Sequence, residues 1–168
     1  MKRLYLLRHA KSSWKDASLP DHDRPLAGRG RRAAKAVARY LREQDIQPEL
    51  VVCSTALRAR ETLARIEPAL GTPDVRVEGD LYAASADALL ERLRSVPDDV
   101  GSVMLIGHNP GLQELALDLA RQSNAVTELE EKYPTAAIAT LELLVTRWQE
   151  LDRDTAELVA LVRPRELE

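Results

Sequence analysis

The sequence contains a single cysteine, Cys53, and this scarcity restricts where the protein is expected to work. One thiol cannot form an intrachain disulfide, so a reducing compartment is the simplest setting. No segment approaches the about 18 apolar residues of a membrane helix, and the apolar run near the N-terminus is too short for a signal peptide. We therefore expect a cytoplasmic protein that does not enter a membrane.

An excess of positive charge is also lacking. The chain has 24 basic and 27 acidic residues, which are interleaved and give a formal net charge of -3. A nucleic-acid partner usually requires a basic stripe, so none is expected here. At 168 residues the chain fits one domain, which can bury about 70% of its unfolded surface. We predict a single domain over residues 1–168 that needs neither a disulfide nor a structural metal.

Short apolar runs alternate with helical patterns along most of the chain. Residues 4–7, 50–53, 75–77 and 103–106 are runs typical of strands buried on both faces of a sheet. The segments between them carry apolar residues at helical spacing, such as Ala33, Val37, Tyr40 and Leu41. This order predicts a three-layer α/β sandwich, in which helices flank a mostly parallel central sheet.

The C-terminal part is less regular. Residues 138–145 and 158–162 are predicted strands, and the polar stretch 146–155 between them indicates a hairpin with a loop. Residues 122–134 are predicted to form a loop with at most a helical turn.

Polar residues of one chemical kind follow three of the predicted strands. Arg8 and His9 follow the first strand, Arg58 lies in the first turn of the helix after the second, and His108 follows the fourth. In open α/β sheets, ligands bind beyond the carboxyl ends of the strands, so parallel strands would bring these residues to one edge. The planar guanidinium of arginine suits phosphate because it donates two parallel hydrogen bonds. The sequence therefore predicts a phosphate site.

Two predicted helix starts would strengthen such a site. Thr55 and Asn109 are favoured N-cap residues, and Pro110 is a favoured first helical residue. The free backbone N–H groups at a helix start attract anions. Each feature also has an ordinary structural interpretation, as loop surface, a solvated helix face or a tight turn. Their conjunction in a chain with only three histidines favours function.

Together these residues resemble the histidine phosphatase superfamily, which has the phosphoglycerate mutase-like fold. The family pattern is Arg-His-Gly after the first strand, Ser-x-x-x-Arg-Ala-x-x-Thr after the second, and Gly-His at a later strand end. The chain carries Arg8-His9-Ala10, then Ser54 to Thr62 with Arg58 and Ala59 in place, then Gly107-His108-Asn109-Pro110. The small size and the segments 8–14 and 23–26 are similar to the branch of protein phosphohistidine phosphatases.

The resemblance implies a phosphatase in which His9 is the nucleophile and becomes phosphorylated. It also implies that several residues bind the phosphate, and that His108 does so best as a protonated donor. These residues are Arg8, Arg58, His108, Arg24 and Asn109. No metal or other cofactor is expected, because the histidines lack His-x-x-x-His spacing and the arginines would repel a cation. A cysteine phosphatase is excluded because position 59, where the Cys-x5-Arg loop needs arginine, is alanine.

Two departures from the family pattern bear on mechanism. Ala10 replaces a glycine, so the turn there must suit alanine. No glutamate occupies an obvious place for a general acid, and four aspartates are weak candidates: Asp16, Asp21, Asp23 and Asp80.

The missing acid favours one class of substrate. Expelling an alkoxide from a phosphate ester needs a proton, whereas phosphohistidine can take one from solvent on its other ring nitrogen. We therefore predict hydrolysis of a phosphohistidine-containing protein. The alternatives are a phosphomonoesterase acting on a small phosphorylated metabolite, and an inactive phosphate-binding module.

Overall fold

A computed structural model describes residues 1–167 of the chain. In this described part of the chain, six strands form one sheet in the order β3-β2-β4-β1-β5-β6. β1 to β4 are parallel, and β5 and β6 are antiparallel, with β5 pairing β1 on one side and β6 on the other. The predicted C-terminal hairpin is therefore confirmed. The strands are β1 Arg3–Arg8, β2 Leu50–Ser54, β3 Asp74–Glu78, β4 Ser102–Gly107, β5 Ile138–Leu143 and β6 Ala156–Val162.

Within residues 1–167, five α-helices cover the two faces of this sheet, which confirms the three-layer α/β sandwich. One core packs the sheet against α3, α4 and α5, and a second core packs the other face against α1 and α2. Among residues 1–167, no helix is long and apolar enough to cross a membrane. The helices are α1 Gly28–Glu43, α2 Leu57–Ile66, α3 Ala86–Arg94, α4 Gly111–Leu119 and α5 Asn124–Glu131.

The central strands divide their side chains between the two cores, as strands buried on both faces must. In β1, Leu4 and Leu6 enter one core, while Tyr5 and Leu7 enter the other. The prediction that β3 is buried in the same way is wrong. β3 forms an edge of the sheet, and Val77 is 45% exposed. A short apolar run does not distinguish an edge strand from a central one.

The segment predicted as a loop, residues 122–134, contains the eight-residue helix α5. The prediction failed because the segment has few apolar residues and hence a weak helical pattern. Val126 and Leu129 are buried in the core with α3 and α4, and this tertiary packing stabilises the helix.

Two glycines let helices approach backbone closely near the carboxyl ends of the parallel strands. A Cβ at Gly30, in the first turn of α1, would collide with the carbonyl oxygen of Lys11. A Cβ at Gly111, the first residue of α4, would collide with the carbonyl oxygen of Ala84. These contacts position α1 and α4 against the loops that surround the strand ends.

Candidate active site

The ends of β2, β4 and β1 lie side by side, and the polar residues that follow them converge. Arg8 is opposite Gly107 in the parallel ladder, and the His9 N–H donates to the Gly107 carbonyl at 3.1 Å. The rings of His9 and His108 lie with centroids 5.1 Å apart. Arg58, on α2, places Nε 3.4 Å from His9 Nε2. The structure thus brings together His9, Arg58 and His108.

His9 is neutral and its lone pair has a defined position. Nδ1 lies 2.8 Å from the Ala10 carbonyl oxygen, which can only accept, so Nδ1 carries the proton. Nε2 therefore holds the lone pair and faces Arg58 Nε. Burial, together with the charges of Arg58 and Arg8, lowers the pKa of His9 to about 3. A neutral imidazole with its lone pair on Nε2, where it accepts a hydrogen bond from Arg58 Nε, has the electronic state that a nucleophile requires.

His108 is held by Ser54, the last residue of β2, whose Oγ lies 2.8 Å from His108 Nε2. Burial, followed by the charge of Arg58, lowers the pKa of His108 to about 4. The expectation of a protonated His108 therefore does not hold for the ligand-free protein at neutral pH. From the sequence, Ser54 is only the first residue of the family motif and has no predicted role in the site; the pairing of Cys53 with Ile106 places it beside the end of β4.

Arg8 and Asn109 meet at the carbonyl oxygen of Tyr133. Arg8 Nη1 and Asn109 Nδ2 each donate to this oxygen at 3.1 Å. Arg8 Nε is buried and has no hydrogen-bond partner among residues 1–167. Burial lowers the pKa of the Arg8 guanidinium from its ordinary value. The C-terminal part of the chain therefore anchors two predicted phosphate ligands.

Both predicted helix starts need correction. α4 begins at Gly111, one residue later than predicted, and Pro110 occupies the N-cap position. The N–H groups of Leu112 and Gln113 donate to His108 O and Asn109 Oδ1, so they are already satisfied.

Thr55 does not cap α2. The N-cap residue is Ala56, and no side chain caps the helix. The Thr55 hydroxyl instead lies 2.8 Å from Nε2 of His22. Thr55 is a residue type favoured at the N-cap, but its side chain makes a tertiary contact instead of capping the helix.

Asp21 is the carboxylate that contacts the site's arginines. Its Oδ1 lies 3.1 Å from Arg24 Nη2, and its Oδ2 lies 3.0 Å from Arg58 Nη2. The Tyr82 hydroxyl donates to Oδ2 at 2.6 Å. This hydrogen bond, with those from the two arginines, lowers the pKa of Asp21 to about 2. Asp21 is therefore ionised at neutral pH and has no proton to donate.

The other three aspartates considered as acids lie in ordinary surroundings. Asp16 is exposed and accepts hydrogen bonds from Ser18, and Asp23 is exposed and pairs with His22 at 3.5 Å. Asp80 lies exposed in a short 3-10 helix. Within residues 1–167, none of the three makes an ion pair with an arginine of the site.

Ala10 fits its turn without strain. Among residues 1–167 it is absent from those with positive φ, and its N–H donates to Thr62 Oγ1 at 2.9 Å. Alanine is therefore tolerated where the family pattern has glycine.

The site as a whole suits an anion. Arg8, Arg24 and Arg58 carry three positive charges, and ionised Asp21 reduces the sum to two, which matches a phosphoryl dianion. In residues 1–167, no three His, Cys, Asp or Glu side chains come together in a way that could hold a metal ion. Burial raises the pKa of the Cys53 thiol to about 12, so no thiolate nucleophile forms there.

A mostly parallel sheet with histidines and arginines gathered at its strand ends agrees with a phosphatase of the phosphoglycerate mutase-like fold. The profile of the histidine phosphatase superfamily (branch 1) matches residues 4–146. The chain belongs to this superfamily.

Individual relatives agree with this assignment. The chain is 38% identical over 165 residues to an uncharacterized protein of Mycobacterium leprae, which covers 95% of this chain and 100% of the relative. It is 30% identical over 148 residues to the phosphohistidine phosphatase SixA of Escherichia coli K12, over 84% and 85% of the two chains. A solved structure from Nakamurella multipartitia, described as a proposed phosphohistidine phosphatase SixA, matches with a TM-score of 0.82 at 32% identity. That match covers 97% of this chain and 96% of the other.

The two buried histidines should make stability depend on pH. In the unfolded chain a histidine has a pKa near 6.5, whereas His9 and His108 have folded values of about 3 and about 4. Between pH 6.5 and 4.5 the unfolded state binds more protons, so the free energy of unfolding decreases as pH falls. We expect a loss of about 2 kcal/mol for each histidine over this range. Urea denaturation at several pH values measures it.

The double variant H9Q/H108Q is the control for this measurement. Its free energy of unfolding should vary less over the same pH range by the sum of the two contributions. Equal pH dependence in the two proteins would show that these histidines are not held neutral.

Proposed function

We propose that residues 1–168, acting as a single domain, hydrolyse phosphohistidine on a partner protein through a phosphohistidine intermediate on His9. The observation that carries this proposal is the ionised state of Asp21. The carboxylate at the site cannot protonate a leaving group, because Tyr82, Arg24 and Arg58 hold it as an anion. Such a site favours a leaving group that does not need a proton from the enzyme.

In the first step, Nε2 of His9 attacks phosphorus while the bond between phosphorus and the substrate imidazole breaks. The departing imidazole takes the electron pair and leaves neutral, because its other nitrogen has taken a proton from solvent. His9 retains its Nδ1 proton, which is hydrogen-bonded to the Ala10 carbonyl oxygen. The phosphorylated ring is therefore positively charged. One imidazole replaces another, and the protein has mainly to stabilise charge on the phosphoryl oxygens.

In the second step, water attacks phosphorus and the P–Nε2 bond breaks. The electron pair returns to Nε2, water releases its proton to solvent, and inorganic phosphate leaves. Arg8, Arg58 and His108 stabilise the phosphoryl oxygens in both steps, and Arg24 is a further phosphate ligand. Asn109 contributes by donating a hydrogen bond to the Tyr133 carbonyl oxygen, which also accepts one from Arg8.

The relatives support this assignment. The Escherichia coli relative carries the name phosphohistidine phosphatase SixA, the Nakamurella structure is described as a proposed one, and each aligns with most of the chain. We place the reaction in the cytoplasm because a single, buried cysteine suits a reducing compartment. An inactive binding module would need the arginines of the site but not a histidine nucleophile at position 9.

Leaving-group dependence tests the proposal. We expect phosphate release from a histidine-containing carrier protein phosphorylated with phosphoramidate, measured in the presence of EDTA. Release from p-nitrophenyl phosphate should be slower, and release from a sugar phosphate should be at least about 100-fold slower than from the carrier, because general acid catalysis contributes about 100-fold or more. The reason is that p-nitrophenolate leaves as a stable anion, whereas an alkoxide needs a proton.

Comparable rates on the carrier and on the sugar phosphate would identify a general phosphomonoesterase instead. Binding of inorganic phosphate without release from any of the three substrates would identify a binding module. Loss of activity in EDTA that a divalent ion restores would overturn the metal-free mechanism.

A further inference from the structure

A basic groove lies next to the active site. It has a volume of about 450 Å³, and no aromatic side chain is among the described residues that line it. Six cationic residues, which define the basic groove below, line it: Lys11, Arg29, Arg32, Lys132, Arg163 and Arg165.

The basic groove adjoins the edge of the active site at Arg8 and Asn109. A second depression contains Arg8 and Asn109 and shares Lys11, Arg29 and Lys132 with the groove. One acidic side chain, Glu131, also lines this second depression. A molecule seated in the groove would therefore extend towards the phosphoryl site at Arg8.

The charges of the basic groove come from separate elements. Arg29 and Arg32 lie on α1, Lys11 follows β1, Lys132 follows α5, and Arg165 follows β6. These five side chains are exposed, and none makes an ion pair within residues 1–167. Five exposed positive charges on a single helix face would be an ordinary solvated surface. Here the five come from several elements of a chain whose net charge is -3, and their convergence concentrates positive potential locally.

Arg163 differs from the other five. It is largely buried and pairs with Glu166 at 3.2 Å and Glu128 at 3.9 Å. It therefore forms part of the wall of the groove, and the other five cations are available to a partner.

We propose that the basic groove docks the acidic surface of the protein that carries the phosphohistidine. This inference rests on the proposed function, because the groove leads to the site where that phosphoryl group would be transferred. A single-stranded nucleic acid is a poorer occupant, since such ligands usually stack their bases on aromatic side chains. Exposed charges at the rim of an interface act mainly on association rate and salt dependence.

Charge reversal tests the docking proposal. In R32E/R165E we expect kcat/KM for an acidic carrier, phosphorylated with phosphoramidate, to fall at least about 10-fold. The loss should appear mainly in KM and diminish at high salt, because screening weakens exposed charge interactions. Turnover of p-nitrophenyl phosphate should change less than about 2-fold, because neither arginine belongs to the active site.

The matched control is R76E/R153E, which changes the net charge equally at exposed positions outside the groove. Its kcat/KM for the acidic carrier should stay within about 2-fold of the wild type. An equal loss in both double variants would attribute the effect to overall charge and overturn the docking proposal.

The two proposals fail in different ways. If the wild type dephosphorylates the carrier and R32E/R165E does so equally well, docking is wrong and the proposed function stands. If the wild type releases no phosphate from the carrier, both are wrong. Binding of a single-stranded oligonucleotide that R32E/R165E abolishes, without any preference for an acidic over a neutral carrier, would assign the groove to nucleic acid.

Discussion

The variant H9N is expected to lose at least about 1000-fold of the wild-type turnover of phosphohistidine. Asparagine can still donate to the Ala10 carbonyl, which His9 Nδ1 contacts at 2.8 Å, but it has no atom equivalent to Nε2. The reaction then lacks its nucleophile while the turn after β1 keeps its hydrogen bond. Because His9 is buried, thermal unfolding of the variant must be measured beside its activity. A folded H9N that keeps more than a few per cent of activity would contradict the assignment.

Peptide mapping locates the phosphoryl group independently of rates. The three histidines fall on different tryptic peptides, because Lys and Arg residues separate His9, His22 and His108. Wild-type enzyme quenched in base during turnover should carry an acid-labile label on the peptide of His9, as a P–N bond requires. H9N should carry none at any time. Label on the His108 peptide would reverse the roles of the two histidines.

The variant R58M is expected to lower turnover by about 100- to 1000-fold, the cost of removing one well-placed donor to a developing anion. Arg58 is 7% exposed and contacts His9 Nε2 through Nε at 3.4 Å and the Asp21 carboxylate through Nη2 at 3.0 Å. Methionine preserves much of the apolar stem while removing the charge. Steady-state kinetics on the phosphorylated carrier measure the effect.

R60M is the matched control for R58M. Arg60 lies on the same helix and is exposed, and its one side-chain hydrogen bond within residues 1–167 goes to the Thr55 carbonyl oxygen at 2.9 Å. Its loss should leave kcat within about 2-fold of the wild type. Similar losses in both variants would show that the helix, rather than the Arg58 charge at the site, determines the rate.

The position of the site could be predicted because one geometric rule covers it. His9, Arg58 and His108 all follow strands of a parallel arrangement, and β2, β4 and β1 are neighbours in the sheet. Strand ends that lie next to one another bring their following residues together whatever the loops do. The family motifs added the role of each residue, which strand order alone does not supply.

The supporting contacts could not be predicted because they depend on loop conformation. Tyr82 and Asp21 are 61 residues apart in sequence, and nothing in their local patterns indicates the hydrogen bond between them. Tyr133 likewise belongs to no recognisable motif. Its carbonyl oxygen nevertheless accepts a hydrogen bond from Arg8, and its hydroxyl donates one to the Leu6 carbonyl oxygen. The protonation state of His108 followed from burial, which the sequence does not report for a loop residue.

The backbone and the side chain of Lys11 have different structural roles. Its carbonyl oxygen accepts from the Ala27 N–H at 2.9 Å and abuts Gly30, so its backbone cannot shift without displacing α1. Its side chain faces the basic groove and is exposed. If the basic groove docks the partner as proposed, substitutions of this side chain would change which partner is accepted without moving the backbone that positions α1. Related phosphatases that act on different partner proteins are expected to differ at the basic groove and to retain Gly30.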